Sequence, residues 1–350
     1  MNKASSSEAP VKATSETENL APGDSEDVFA FPLSYEQQRL WFLSQLVLGS
    51  AIYNVPIALR LKGRLHAEAL RKALMEIVQR HEVLRTRFVT VEGEPMQLVE
   101  SAKGPFLELE NLCELPRAER DAEAIRRATE EANTPFDLSV GPMLRTKLLQ
   151  LAEQEHVLLL TMHHIVSDAW STAVLVREIA TLYSDFSHDR PSRLPDLSIQ
   201  YADYAVWQRE VLQGPVLQKQ VEYWRWRLEG LPVLELPTKG QRPARPSHLG
   251  AKLPVHLPPR LLARLKELAR TEDATLFMVL LASFQLLLSR WTGQQDLAVG
   301  TPVANRTRME TESLIGFFVN TLVLRTDFSG SPNVRELVKQ VRAVCSDAYA

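Results

Sequence analysis

Two rhythms of apolar and polar positions run along this chain. Residues 55–61 (VPIALRL) alternate branched apolar side chains with others, the period-two pattern of a strand. Leu70, Ala73, Leu74, Ile77 and Val78 then fall at three- and four-residue spacing, which predicts an amphipathic helix from Ala67 to His81. Before these, order begins near Phe31, and Ser34 is placed to cap a helix running through Glu36 to Phe42. Strands are predicted at 84–90 and 95–100 and a charged helix at 119–132. Two apolar runs, 143–151 and 155–162, flank the polar turn 152–155 and read as a hairpin. After Ser167 and Asp168 a helical pattern passes through Val174, Ile179, Leu182 and Tyr183. Further on, helices are expected at 199–212, 216–229, 259–271 and 274–291, strands at 296–303 and 315–327, and a last helix at 333–349. Strands mixed with long helices, without strict βαβ alternation, point to an α+β fold.

Composition divides the chain. Residues 1–28 are rich in Ser, Glu, Thr, Ala and Pro and nearly free of large apolar side chains, which predicts a disordered N-terminal tail. The stretch 187–198 (SHDRPSRLPDLS) has the prolines, serines and charge of a linker, so we expect one lobe over 29–186 and a second over 199–350. A length of 350 residues suits two lobes. The net charge of −3 offers no basic excess to recruit nucleic acid or an anionic membrane. Leu276 to Leu288 is too short to span a bilayer and reads as a buried helix, and the N-terminus lacks a secretory layout. Cys113 and Cys345 form no CxxC pair, so a cytoplasmic location is expected.

The segment carrying chemistry is Met162-His163-His164-Ile165-Val166-Ser167-Asp168. Side chains on a strand alternate faces, so only one of the two histidines can face a given cleft. Asp168, opening the next helix, can cap its amides or accept a bond from an Arg. Forming an amide from a thioester needs a free amine, a proton acceptor and a stabilised oxyanion. An imidazole can accept the proton or orient the amine, and backbone amides at a strand-to-helix junction can face the oxyanion. Two structural histidines are the competing reading. A metal site is disfavoured, because adjacent strand residues cannot both point at one ion and no third ligand is evident.

The run from Thr161 to Ser171 resembles the HHxxxDG signature of the condensation domains of non-ribosomal peptide synthetases, a branch of the chloramphenicol-acetyltransferase-like acyltransferases. Four more segments resemble that family in order: Ser34–Trp41 its opening helix motif, Arg80–Phe88 its RHExLRTxF motif, Tyr201–Trp207 its YxDYAxW motif, and Ile315–Thr321 its IGxFVNT motif. The resemblance covers residues 31 to 350. It implies two acetyltransferase-like lobes in a V-shaped pseudo-dimer with a tunnel between them, the C-terminal lobe incomplete. The implied activity joins a donor acyl or peptidyl thioester to the amine of an acceptor aminoacyl thioester. Both substrates ride on the phosphopantetheine of peptidyl carrier proteins, beside adenylation domains, and the domain itself binds no cofactor.

By matched position His164 is the catalytic histidine and His163 its structural neighbour, facing away. Asp168 is implied to bridge to Arg80 and hold the histidine loop, with Arg85 as a second ion-pair residue. Ser171, Trp207 and Asn320 are implied along the substrate path, although core packing suits Trp207 and backbone bonding suits Asn320 equally. Ala169 stands where the family has Gly, which would allow a strained turn or close approach of the thioester. The opening motif resembles domains taking an L-configured or achiral donor, and the DxxxxD signature of cyclisation domains is absent, His163 holding its first position. Two other functions stay open: a catalytically silent module that docks carriers, motivated by Ala169 and the short C-terminus, and an ester-forming acyltransferase.

Overall fold

A computed structural model describes residues 28–47, 49–102, 107–237 and 250–349. The tail expected over 1–28 lies outside the described residues except for Val28. The chain divides into two compact units: unit 1 takes the chain to Leu212 and again from Ala304 to Val319, and unit 2 takes Gln213–Val303 and Asn320 onward.

Unit 1 contains β1 (Phe29–Pro32), α1 (Tyr35–Leu46), β2 (Asn54–Lys62), α2 (Ala67–Arg80), β3 (Thr86–Val91), β4 (Glu94–Val99), β5 (Glu108–Asn111), α3 (Arg117–Asn133), β6 (Leu144–Ala152), β7 (Glu155–His163), α4 (Ala169–Phe186) and α5 (Tyr201–Val211). Four strands form one sheet in the order β2-β7-β6-β5, and three form another in the order β1-β4-β3. The predicted hairpin is β6–β7, antiparallel, with β2 on the far side of β7 so that Asn54 pairs with His163. On β7, Leu158, Leu160 and Met162 enter the main core with Leu74 and Ile77 of α2 and Val174 and Leu175 of α4, whereas Leu159 joins Ala124 of α3 and Leu149 and Leu151 of β6 on the opposite face. Helices cover both faces, which explains why Val157 to Met162 reads as a nearly continuous apolar run.

The stretch 187–198 is not a linker between the units. Leu194, Leu197 and Ile199 pack on the core of unit 1, and the buried Asp185 carboxylate binds Arg193 at 2.8 Å. Its prolines and charges mark irregular backbone, but the three apolar side chains pin that backbone down. Tyr201 and Tyr204 of α5 complete the same core, so the chain leaves unit 1 only after Leu212. The segment 304–319 brings Leu314, Ile315, Phe317 and Phe318 back into that core. The strand expected over 315–327 therefore starts at Asn320: the first five residues are irregular backbone, buried from Ile315 to Phe318.

Unit 2 contains α6 (Gly214–Leu228), α7 (Pro259–Thr271), α8 (Leu276–Thr292), β8 (Asp296–Val303), β9 (Asn320–Asp327) and α9 (Val334–Tyr349), with β8 and β9 paired antiparallel. Val279, Ala282 and Leu288 of α8 meet Leu337, Val338 and Val341 of α9 in its core. Phe277, Phe284, Leu287 and Trp291 form an exposed apolar stripe on another side of α8. Among the described residues no single helix is long and apolar enough to cross a membrane.

Gly316 shows how tightly the returning segment is seated. A Cβ there would fall 2.1 and 2.6 Å from two ring carbons of fully buried Tyr201. Gly316→Ala is expected to destabilise unit 1 by about 1–3 kcal/mol or more through overpacking. Gly300→Ala, whose Cβ would meet its nearest neighbour at 3.4 Å, serves as the tolerant control. Urea unfolding of the two variants checks the difference.

Candidate active site at the His163–Asp168 turn

β7 ends at His163, a single 3-10 turn carries His164–Val166, and α4 starts at Ala169 with Asp168 as its N-cap. The strand period sends the two histidines to different surroundings. His163 is buried, with the rings of Tyr53 and Phe136 edge-on at 6.2 and 5.9 Å. Its Nδ1 accepts the Ile165 N–H at 3.1 Å, which places the proton of the neutral ring on Nε2. Burial, with neighbouring His164 and Arg145 adding, pushes His163 down to about 4, so the ring is neutral at neutral pH. His164 is half-buried. Its ring stands edge-on to Phe317 at 4.9 Å, and its enclosed Nδ1 has no hydrogen-bond partner among the described residues. The His164 N–H donates to the Tyr53 carbonyl at 2.8 Å.

Asp168 is the hub of the site. One carboxylate oxygen accepts the Ser171 N–H and lies at hydrogen-bond distance from Ser171 Oγ, both at 2.7 Å. The other accepts the Phe318 N–H at 3.2 Å. The charge partner is Arg306, whose Nη2 is 3.2 Å from Asp168, both side chains at most 1% exposed. Arg306 also donates to the carbonyls of Thr311 and Leu314 and to Ser171 Oγ, and its guanidinium lies 4.0 Å from the Phe318 ring centre. Ser171 Oγ lies 2.8 Å from the Gly316 carbonyl and accepts the Gly316 N–H at 3.0 Å. The capped start of α4 is thus stitched to the 304–319 segment by one ion pair and several hydrogen bonds.

The expected Arg80–Asp168 pair does not form. Arg80 binds Glu178 at 3.3 Å, and the same carboxylate holds His81 Nε2 at 2.8 Å. The reason is axial distance: Glu178 lies ten residues beyond Asp168 on α4, about 15 Å at 1.5 Å per residue. The end of α2 meets α4 there, out of reach of the cap. His81 Nδ1 accepts the Ile315 N–H at 3.3 Å, so this ring too is held neutral, and burial lowers its pKa against the pull of Glu178.

Other predicted positions separate. Ser171 is fully buried in the Asp168 hub rather than placed along a substrate path. Arg85 binds Glu82 at 3.1 Å and the Glu100 carbonyl, and lines a cavity of about 440 Å³ with Arg87, Arg145 and Lys147. Neither histidine of the turn borders that cavity, so its volume says nothing about their chemistry. Trp207 packs on the core of unit 1 under the Arg308 guanidinium, 4.3 Å away. Asn320 opens β9 in unit 2, exposed, and its Oδ1 accepts the Thr321 N–H at 2.8 Å. Ala169 is exposed at the first turn of α4, without positive φ, so the backbone here does not require glycine. Sequence reasoning missed Arg306 and Gln37. Arg306 sits in the polar stretch Asn305–Arg308 after an apolar strand, and only that contrast marked it. Gln37 lay inside the quoted opening motif without a role.

The His-His strand end, the single 3-10 turn and the buried capping Asp thus sit together in unit 1. A family model for the condensation domain matches residues 29–350, and the chain belongs to that family. It is 51% identical over 320 residues to a linear gramicidin synthase of Brevibacillus parabrevis, spanning 91% of this chain and 6% of that protein. It is 43% identical over 320 residues to phosphinothricin tripeptide synthetase PhsC of Streptomyces viridochromogenes, spanning 91% of this chain and 30% of that protein. Among solved structures, the X-domain from teicoplanin biosynthesis superposes with a TM-score of 0.82 at 30% identity, over 91% of this chain and 70% of that one.

The Asp168–Arg306 pair is open to direct test. Arg306→Leu strands the Asp168 charge and is expected to cost about 3–5 kcal/mol. In double-mutant cycles with Asp168→Asn, Arg306→Leu is expected to couple by more than about 1 kcal/mol and Arg80→Leu by less than about 0.5 kcal/mol.

His163 gives a pH dependence. Its folded pKa of about 4 lies below its unfolded value of about 6.5, so between these the unfolded state binds more protons. Stability falls as pH drops through that window, by about 2–3 kcal/mol from this ring at its lower end. Urea unfolding at pH 7 and pH 5 should show a smaller acid loss in His163→Gln than in the parent. An equal loss would mean that the ring charges without penalty.

Proposed function

We propose that this domain forms amide bonds between carrier-bound substrates, with His164 as the catalytic residue. The observation that carries the reading is the presentation of His164: half-buried at the end of β7, with Nδ1 enclosed and the backbone fixed on both sides of the ring. Nε2 is the nitrogen left to meet substrate. The acceptor amine attacks the donor thioester carbonyl, the C–N bond forms, and the C–S bond breaks to release the phosphopantetheine thiol. His164 Nε2 takes or orients the proton that the amine sheds, a task to which an imidazole is suited near neutral pH. Phosphopantetheine is substrate here, brought by donor and acceptor carrier proteins next to adenylation domains in a cytoplasmic synthetase. The donor is read as L-configured or achiral, from the opening motif.

His163, Asp168 and Arg306 act through His164 by holding its turn, and Ala169 supplies the first residue of α4. With no left-handed backbone at that position, the Ala-for-Gly exchange gives no backbone reason to read the domain as silent. The apolar stripe on α8 and the two-stranded β8–β9 sheet support reading unit 2 as part of a larger lobe, since a helix apolar on several sides is built for burial.

His164→Ala is expected to slow dipeptidyl-thioester formation between two loaded carrier proteins by about 100- to 10,000-fold, with an unchanged unfolding midpoint. Retention of full rate would remove His164 from the chemistry. Carrier binding with no product from the parent would favour a docking module, and product only with a hydroxyl acceptor an ester-forming enzyme.

A further inference from the structure

We propose that Gln37, on the opening helix, is a positioning residue for His164. The inference rests on the reading of His164 as catalytic. Gln37 is fully buried and uses both ends of its carboxamide. Its Oε1 accepts the Ser34 N–H at 3.1 Å, closing the capping box of α1. That contact fixes the amide orientation, since an N–H cannot donate to the NH2 end. The Nε2 therefore faces the other way, where it donates to the Ile165 carbonyl at 3.3 Å across 128 residues of sequence.

Ile165 is the residue after His164, and it is gripped from two directions. Its N–H goes to His163 Nδ1 at 3.1 Å and its carbonyl to Gln37. Within the same turn the His164 N–H goes to the Tyr53 carbonyl, and the Ser167 N–H to the His164 carbonyl at 3.3 Å. A 3-10 turn of three residues has little internal rigidity, so these outside bonds set where the imidazole sits. α1 is a firm post for the purpose: Ser34 Oγ caps it and also bonds Tyr201 OH at 2.8 Å, whose own proton goes to the Phe317 carbonyl. Capping α1 needs only Oε1. The Nε2 bond is surplus to the helix, and among the described residues it goes to the turn that bears His164. A misplacement of a reacting group by about 1 Å lowers rate about 100-fold.

Because cap and clamp use different atoms, they can be separated. Gln37→Glu keeps the oxygen that caps α1 and replaces the donor with an oxygen. Gln37→Met keeps the length and removes both bonds. With two loaded carriers, and below an unfolding midpoint that the uncompensated buried carboxylate lowers, Gln37→Glu is expected to reduce kcat by about 10- to 100-fold, with KM for either carrier within about 3-fold. Lowering pH should partly restore Gln37→Glu, as a protonated carboxyl can again donate to the Ile165 carbonyl, and should not restore Gln37→Met. Amide hydrogen exchange supplies a readout without turnover: 164–167 should exchange faster in Gln37→Glu while 36–40 stay protected. A parent-like kcat and exchange pattern in Gln37→Glu, alongside an inactive His164→Ala, would overturn the positioning role alone. An active His164→Ala would overturn the catalytic reading and this role with it. Equal loss of protection across α1 and the turn would assign Gln37 to helix stability and sink the proposal.

Discussion

A carboxylate with essentially no exposed surface anchors everything around the histidine turn. Asp168 cannot stay ionised in that position without charge and hydrogen-bond compensation, because the desolvation of a buried anion is a penalty of several kcal/mol. Compensation comes from the first turn of its own helix, through the Ser171 N–H, and from a segment about 140 residues later, through Arg306 and the Phe318 N–H. Burying the charge therefore obliges the 304–319 segment to return to unit 1. That return brings Phe317 against the His164 ring and Ile315 onto His81. The same constraint that settles the helix start thus furnishes one wall of the imidazole's surroundings. Ion pairs of this depth add little net stability relative to apolar replacements, but they penalise every arrangement in which one partner is missing.

Much of this was legible in the residues, for reasons that can be stated. Strand alternation fixes which histidine shares a face with Leu159 and which begins the turn, and it needs no tertiary information. Helix α2 was readable because its apolar face packs at helical spacing. The partner of Asp168 was not readable. Arg80 and Arg306 are equally basic, and the choice between them depends on where α2 ends along α4, a distance that no local pattern encodes. The 187–198 stretch misled for a related reason: prolines and charges report that the backbone is irregular, not that it is free of the core. Leu194, Leu197 and Ile199 were present in the sequence, but three apolar residues at uneven spacing match neither period. Ile315–Val319 misled in the opposite sense, its apolar run suggesting a strand when burial in unit 1 requires none.

Two identical side chains at adjacent positions acquire opposite properties here. His163 faces apolar rings and gives its Nδ1 to a backbone N–H, so its proton is fixed and its charged form is excluded near neutral pH. His164, one residue on, leaves the strand and stands edge-on to Phe317. The fixed tautomer of His163 is a condition for the geometry of His164. Protonation of His163 on Nδ1 would remove the acceptor for the Ile165 N–H and loosen the turn from one side. A neutral structural histidine therefore holds the position of the neighbouring one as long as its own Nδ1 stays unprotonated.

The same logic bears on Ala169. Glycine at a helix start matters where φ is positive or where backbone must approach a neighbour within the radius of a methyl group. Neither demand arises from the protein at this position: the residue is exposed and begins a helix whose cap is supplied by Asp168. The close-packing glycine of this site is instead Gly316, pressed on Tyr201 at the far side of the hub. A methyl at Ala169 therefore points to no demand of the fold: it adds volume at an exposed position. The structural tolerance of the site is set by the Asp168, Arg306 and Gly316 contacts behind it.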